Sequence, residues 1–417
     1  MANRLAVILH DDWEIRGNGL GNVAHLQYIP ALTLMGLARE AGIPLTFMVE
    51  LGQQLAFQRF SDKDPNLGIQ ARLWEETVQL MWSNGCDVQP HIHPQWFGSS
   101  YVDGYIHMDG SLNIATYGDA ARREMLSECF ECLRAVLRGV DSTYRITSFK
   151  AGAHALQPSH GILNDLKEQG VGLVMGPRLG LKAINPAFSV DYRHMEESTL
   201  PYCPDFDDVT RIGPDRGIAI LPMSYWDVDP VGKWHLIRRR LSPRRLACGH
   251  VDRLSYHRNV PRSILERNPR ADYSEGPLTR KLLKPYRAGL NLSGPQSFAE
   301  LKHILDRTVA RLSRLDCETV PLVIESHSKD HEGNWDNLAA FLRYLADRYG
   351  DRAEFLTVSQ FLANIRSNPG MIRQLAPGDV QRTQTDRAGA PLDRVFPALV
   401  HCRRWWHASH VTGRVHP

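Results

Sequence analysis

Short apolar runs alternate with amphipathic segments along most of this chain. The apolar runs lack a helical period, which is typical of strands buried in a parallel sheet. They lie at 4–10, 44–50, 86–94, 146–154, 171–176, 217–224, 320–328 and 353–362, the last of which runs on into a helix. Between them, apolar residues recur every three or four positions and predict helices at 26–42, 71–85, 120–139, 161–170, 298–316 and 334–350.

This alternation predicts parallel βαβ units. Seven or eight such strands indicate a closed or nearly closed α/β barrel, although a doubly wound open sheet has the same alternation. Two stretches depart from the pattern: 231–295, which lacks a clear strand, and the chain beyond 366. We therefore predict a barrel domain over 1–365, interrupted by an insertion at 231–295, and a C-terminal extension over 366–417.

The predicted insertion has a strongly basic part. Eight Lys and Arg residues and a single acid, Asp252, lie between Lys233 and Arg258. Such a run is either a solvated insertion with helices of its own or a cap that attracts an anionic substrate to the active site. The sequence leaves both interpretations open.

Composition places the chain among ordinary globular proteins. Of its 417 residues, 43% are hydrophobic and 23% charged, and the net charge of +3 is too small to indicate nucleic-acid binding. Seven scattered cysteines indicate reduced thiols, and Cys129-x-x-Cys132 lies in a helical pattern with no second pair to complete a zinc site. With no secretion signal and no apolar stretch near the ~20 residues of a membrane span, we expect a cytoplasmic protein.

Ionisable side chains cluster where four of the predicted strands end. The carboxyl ends of parallel strands meet at one mouth of a barrel, so these side chains should share a single site. The clusters are His10, Asp11, Asp12 and Glu14 after the first strand; His91, His93 and Trp96; Lys150 and His154; and Glu325, His327, Lys329, Asp330 and His331.

Two histidines are the strongest indication of a metal-binding site. His91 and His93 are two positions apart, so both imidazoles lie on the same face of a strand. Asp12 from the first strand would complete a His₂Asp site with an open position for water, and such a donor set favours Zn²⁺, although Co²⁺, Ni²⁺ and Mn²⁺ bind similarly. The alternative is that both histidines only hydrogen-bond to loop carbonyls.

Taken together, these segments resemble the polysaccharide deacetylase (NodB-homology) superfamily, which includes carbohydrate esterase family 4. Leu9-His10-Asp11-Asp12 stands where that family has Thr-Phe-Asp-Asp. Further segments follow in the family's order: 42–50, 80–96, 149–154, 219–224, 323–331 and 353–362. The resemblance implies an incomplete, distorted (β/α)₇ barrel.

The resemblance also implies roles. By position, Asp11 is similar to the catalytic base, Asp12 to the metal-ligating carboxylate, His91 to the first metal histidine and His327 to the general acid. Lys150 stands where the family often has Arg and would orient the base as a point charge.

Other candidates rest on the residues themselves. His93 as the second metal ligand depends on strand geometry, because the family usually spaces its two histidines four apart and residue 95 is Gln. Glu14 is a candidate extra ligand or substrate contact, and Trp96 and His154 are candidate substrate contacts. Glu325 is favoured over Asp330 to orient His327, since strand alternation puts Glu325 on the same face.

The implied activity is metal-assisted hydrolysis of an N-acetyl group on an amino-sugar-containing substrate. Two alternatives stay open: the same metal site acting on a small non-sugar amide or ureide, and an inactive homologue that binds a glycan.

Overall fold

In a computed structural model of the protein, the structure describes residues 3–375, apart from 17, 18, 20, 109–110, 185–188, 242–286, 295 and 332. The strands are β1 (Arg4–Trp13), β2 (Leu45–Glu50), β3 (Asp87–Ile92), β4 (Ser100–Val102), β5 (Tyr105–His107), β6 (Ser148–Ala151), β7 (Leu173–Met175), β8 (Lys182–Ile184), β9 (Ser189–Asp191), β10 (Ala219–Leu221), β11 (Tyr225–Asp227), β12 (Arg287–Gly289), β13 (Thr319–Ser326) and β14 (Ala353–Leu356).

The helices mostly follow strands of the main sheet. They are α1 (Ile29–Glu40), α2 (Leu51–Phe60), α3 (Pro65–Ser83), α4 (Asp119–Arg138), α5 (Ile162–Glu168), α6 (Pro230–Leu241), α7 (Phe298–Leu312), α8 (Trp335–Tyr349) and α9 (Val358–Ser367). Among these, α2 has no counterpart in the predicted helices, because its sequence LGQQLAFQRF is rich in Gln and weakly amphipathic. Glu50, the last residue of β2, caps α2 by accepting a hydrogen bond from Gly52 N at 2.9 Å.

Eight parallel strands form one curled sheet in the order β10-β7-β6-β3-β2-β1-β13, with β14 beside the first half of β1. Strand β1, which pairs with β2, β13 and β14, is buried at every residue after Arg4, because helices cover one face and the barrel interior lies on the other. The predicted distorted (β/α)₇ barrel is confirmed by this architecture.

The gap between the edge strands β10 and β13 is bridged by backbone from residues 290–292. Leu290 N donates to Ser224 O at 2.8 Å, just beyond β10. On the other side, Glu325 N donates to Leu290 O at 3.1 Å and Leu292 N donates to Glu325 O at 2.8 Å. The stretch 231–295 was predicted to lack a strand; it contains β12, which pairs antiparallel with β11, and its last residues complete the barrel wall.

Contacts divide the chain into a unit over Met1–Gln374 and a unit over Leu375–Pro417. All described residues except Leu375 lie in the first unit. The predicted extension over 366–417 is mostly outside the described residues, and so is most of the basic segment 233–258. In the described part of the chain, no helix has the length and apolar character to cross a membrane. Cys129 and Cys132 are free thiols on α4, and burial raises the pKa of both.

Candidate active site

Neighbouring acids at the end of β1 have different surroundings. Successive side chains of a strand point to opposite faces. Asp11 is fully buried and accepts two hydrogen bonds from the turn after β13, from Ser328 N at 2.6 Å and Ser328 Oγ at 2.8 Å. Burial raises the pKa of Asp11 to about 6, against the opposing effect of Ser328. Asp11, which was predicted as the catalytic base, is not in any group of described residues whose ligand atoms lie close enough together to hold a metal ion.

Asp12 instead pairs with the predicted Lys150. Lys150 Nζ, at the end of β6, lies 2.7 and 2.6 Å from the two carboxylate oxygens of Asp12. The same ammonium donates to His10 Nε2 at 3.0 Å. Burial would raise the pKa of Asp12, but Lys150 holds it well below its usual range. Burial, followed by Lys150, lowers the pKa of His10 to about 3, so this imidazole is a neutral acceptor.

Four donors at the ends of three strands could hold a metal ion. Ligand atoms of Glu14, Glu50, His91 and His93 all lie within 4.8 Å of one another, and all four residues are buried. The structure brings together the two histidines of the predicted set of Asp12, His91 and His93, whereas Asp12 is not in their group and stays a prediction as a metal ligand. Glu14 belongs to the group because it directly follows β1, two positions after Asp12 and on the same face.

His91 is oriented as a metal ligand would be. Its Nδ1 donates to Lys150 O at 3.0 Å, which leaves the lone pair on Nε2. This Nε2 atom is buried without a hydrogen-bond partner, 3.8 Å from Glu14 Oε2. Burial is the main reason that the pKa of His91 falls to about 4, so the ring is neutral and able to bind a cation.

Glu14 is shared between the histidines and a lysine. His93 Nε2 lies 2.9 Å from Glu14 Oε2, whereas Lys329 Nζ lies 2.5 Å from Glu14 Oε1. Burial would raise the pKa of Glu14, but Lys329 and then His93 hold it well below its usual range. Burial would lower the pKa of His93, but Glu14 raises it overall.

Glu50 adds a second carboxylate to this group. It accepts hydrogen bonds from His93 N at 2.9 Å and from Gly52 N at 2.9 Å. Burial raises the pKa of Glu50 to about 7. In the metal-free protein, Lys329 and the protons held by His93 and Glu50 balance the two carboxylates, and a divalent cation could replace those protons. Two carboxylates and two imidazoles in one buried group, together with the unpartnered Nε2 of His91, fit a divalent cation.

A second cluster lies beside the first. His327 Nε2 is 3.5 Å from Asp12 Oδ2, and His327 Nδ1 is 3.7 Å from Glu325 Oε1. The shortest contact of His327 is with Ser293 Oγ, at 2.8 Å from Nδ1. Asp330, the other residue considered for orienting His327, lies 3.5 Å from Arg16 instead.

His154 is held in the site by unusual backbone. Ala153 and His154 have φ angles of +56° and +54°, a left-handed conformation that costs energy in residues with a Cβ. His154 Nε2 lies 3.6 Å from Glu325 Oε2, and burial lowers the pKa of His154 to about 3. The structure therefore brings His154 to the Glu325 side of the site.

Trp96 lies in the core. Its side chain is 2% exposed and packs edge-on against Phe57, with ring centroids 6.0 Å apart. The predicted contact of Trp96 with a substrate stays a prediction.

Several residues of the site were missed in the sequence. Glu50 ends an otherwise apolar strand, the same signal that identified Asp12, and could have been found by it. Asn291 and Ser293 gave no signal, because they lie in a stretch without strand pattern.

Comparisons with known proteins give structural likenesses only. No family model and no curated protein match this chain. A protein from Mycobacterium smegmatis assigned to the polysaccharide deacetylases is 14% identical, with a TM-score of 0.46 over 90% of this chain and 95% of that one. A probable polysaccharide deacetylase from Pseudomonas aeruginosa PAO1 is 11% identical, with a TM-score of 0.43 over 88% of this chain and 92% of that one.

PuuE allantoinase is 12% identical to this chain, with a TM-score of 0.43 over 88% of this chain and 91% of that one. The neighbours thus include polysaccharide deacetylases, the family that the sequence resembles. At these identities and TM-scores, the activities of the neighbours do not carry over to this chain.

Proposed function

We propose that this chain is a divalent-metal-dependent hydrolase that removes an N-acetyl group from an amino-sugar-containing substrate. The metal donors are Glu14, His91 and His93, with Glu50 beside them. When bound, the cation would polarise an acyl carbonyl and lower the pKa of a nearby water. The sequence resemblance supports the choice of substrate class.

Asp12 is the proposed general base. Lys150 contacts both of its oxygens and keeps the carboxylate ionised, so Asp12 is able to accept a proton from the attacking water. A carboxylate with so low a pKa is a weak base. It therefore needs a water that has already been acidified, which explains its place next to a cation site.

His327 is the proposed general acid. Its Nε2 lies 3.5 Å from Asp12 Oδ2, and its side chain is 20% exposed, more than the other groups of the cluster. It donates the Nε2 proton to the leaving nitrogen, and the proton taken up by Asp12 can return to His327 over that short distance.

One observation is the main support for this proposal. The Nε2 atom of His91 is buried without a hydrogen-bond partner and lies 3.8 Å from Glu14, which also contacts His93. Next to this group are Asp12, which is paired with Lys150, and the more exposed His327. Buried polar atoms without a hydrogen-bond partner are rare unless a ligand completes them.

The test combines metal analysis with an acetate-release screen. Purified protein should contain about one equivalent of a divalent metal per chain, and a panel of N-acetylhexosamine compounds should include a substrate. Chelation and D12N should both abolish acetate release. Turnover of small amides or ureides alone would replace the sugar substrate, and a metal-free protein without hydrolysis of any acyl donor would refute the proposal.

A further inference from the structure

A segment at the end of the predicted insertion supplies two side chains to the site. Residues 290–292 pair with β13 through backbone hydrogen bonds on both sides of Glu325. Asn291 and Ser293 are two positions apart in this extended segment, so both point toward the cluster of β13. Ser293 N also donates to Asn291 Oδ1 at 2.6 Å, which ties the two residues together.

Asn291 forms a hydrogen bond with one carboxylate oxygen of Glu325. Asn291 Nδ2 donates to Glu325 Oε1 at 2.9 Å. The other oxygen, Oε2, faces Lys150 Nζ at 3.8 Å and His154 Nε2 at 3.6 Å. Glu325 is thereby held by its surroundings and stays 3.7 Å from His327 Nδ1, beyond hydrogen-bond distance.

Ser293, rather than the carboxylate of Glu325, is within hydrogen-bond distance of His327 Nδ1. Its Oγ lies 2.8 Å from His327 Nδ1, and the hydroxyl can accept the Nδ1 hydrogen of either the neutral or the charged ring. The titratable groups that face His327 are Asp11, Asp12 and His10 from β1, Glu325 from β13 and His331 from the following turn.

We propose that Ser293 is a positioning residue that keeps the Nδ1 hydrogen of His327 in place and directs Nε2 to the substrate, while Asn291 keeps Glu325 away from Nδ1. This inference rests on the proposed role of His327 as general acid. The Nε2–H bond of the imidazolium breaks as the new N–H bond of the leaving amine forms, and the ring remains neutral with its Nδ1 hydrogen on Ser293. A neutral partner stabilises the imidazolium less than a carboxylate would, so the proton is released more readily.

Kinetics of S293A test the role. Without the hydroxyl, Nδ1 loses its hydrogen-bond partner and Glu325 Oε1, at 3.7 Å, is its nearest acceptor, so kcat should fall by about tenfold or more while KM changes little. The alkaline limb of the pH profile of kcat/KM should move to higher pH, because a carboxylate stabilises the imidazolium. S293T keeps a hydroxyl and should restore both the rate and the profile. S313A, on the surface end of α7, is the matched control.

Two results would overturn the inference: an S293A enzyme with the wild-type kcat and pH profile, or an S293T enzyme as impaired as S293A. Nitrogen NMR of histidine-labelled, metal-free protein gives a readout that does not need activity, with the His327 signals identified by their absence in H327Q. Wild type should show the tautomer with hydrogen on Nδ1, and the other tautomer would refute the role of Ser293. If wild type hydrolyses nothing but shows this tautomer, the proposed function fails and the positioning stands.

Discussion

At the residue scale, the site depends on which face of β1 each acid occupies. Asp11 and Asp12 are adjacent, so the same strand that presents Asp12 to Lys150 must turn Asp11 toward Ser328. The alternation rule correctly predicted that His91 and His93 converge. Applied from Asp12 onward, the same rule places Glu14 on the face of Asp12 and Asp11 on the opposite face.

The two acids should therefore respond differently to the same substitution. D12N should lower kcat by about two orders of magnitude or more, because it removes the proposed base. D11N should lower kcat far less, because an amide can still accept a hydrogen bond from Ser328 and faces no metal donor. Steady-state kinetics on both variants measure this, with thermal melting as the check on folding. A D11N enzyme as inactive as D12N would restore Asp11 as the base.

Metal affinity should rise with pH. The raised pKa of His93 and the pKa of about 7 for Glu50 mean that both groups hold protons near neutrality in the metal-free protein. A cation must displace these protons, so affinity should increase between about pH 6 and pH 8 and binding should release protons. Calorimetric titrations in two buffers of different ionisation enthalpy count the released protons. A pH-independent affinity would contradict this charge balance.

At the element scale, the turn after β6 approaches the end of β3 very closely. A Cβ on Gly152 would lie 2.7 Å from the His93 ring and 2.8 Å from Ile92 O, so the backbone there must move. The absence of a side chain at Gly152 is thus what lets β6 carry Lys150 and His154 next to the metal histidines.

G152A should displace His93 and weaken metal binding by about 10–100-fold, the range typical of disturbed supporting residues. G36A is the control, since a Cβ on Gly36 in α1 meets no atom within 4 Å. Direct metal titration of both variants gives the answer, and unchanged affinity in G152A would show that His93 tolerates the shift.

At the scale of the whole molecule, the last described segment is tied to the barrel unit. Cys203 N donates to Arg373 O, and Arg373 N donates to Pro201 O, both at 2.8 Å. These bonds place residue 373 within the Met1–Gln374 unit, slightly beyond the predicted domain end at residue 365.

A chain ending at residue 375 should therefore keep cooperative unfolding and metal binding. A chain ending at residue 370 loses both bonds of Arg373 and should be less stable by about 1–3 kcal/mol. Denaturant unfolding of the two truncated chains, compared with the full chain, measures the difference. Equal stabilities for the two truncations would contradict an anchoring role for Arg373.

The sequence by itself predicted the alternating strands and helices, the convergence of four strand ends and the shared face of His91 and His93, and its resemblance to the polysaccharide deacetylases implied the distorted barrel and the roles of Lys150 and His327. The strands and helices follow from periodicity, which is local, and the convergence follows from the parallel arrangement that their alternation predicts. Only the tertiary structure decided that Glu14 rather than Asp12 joins the histidines, that Glu50 stands beside them and that Ser293 reaches His327. These contacts depend on distances of a few ångströms between side chains that are far apart in the chain, and such distances are fixed only when the whole domain has folded.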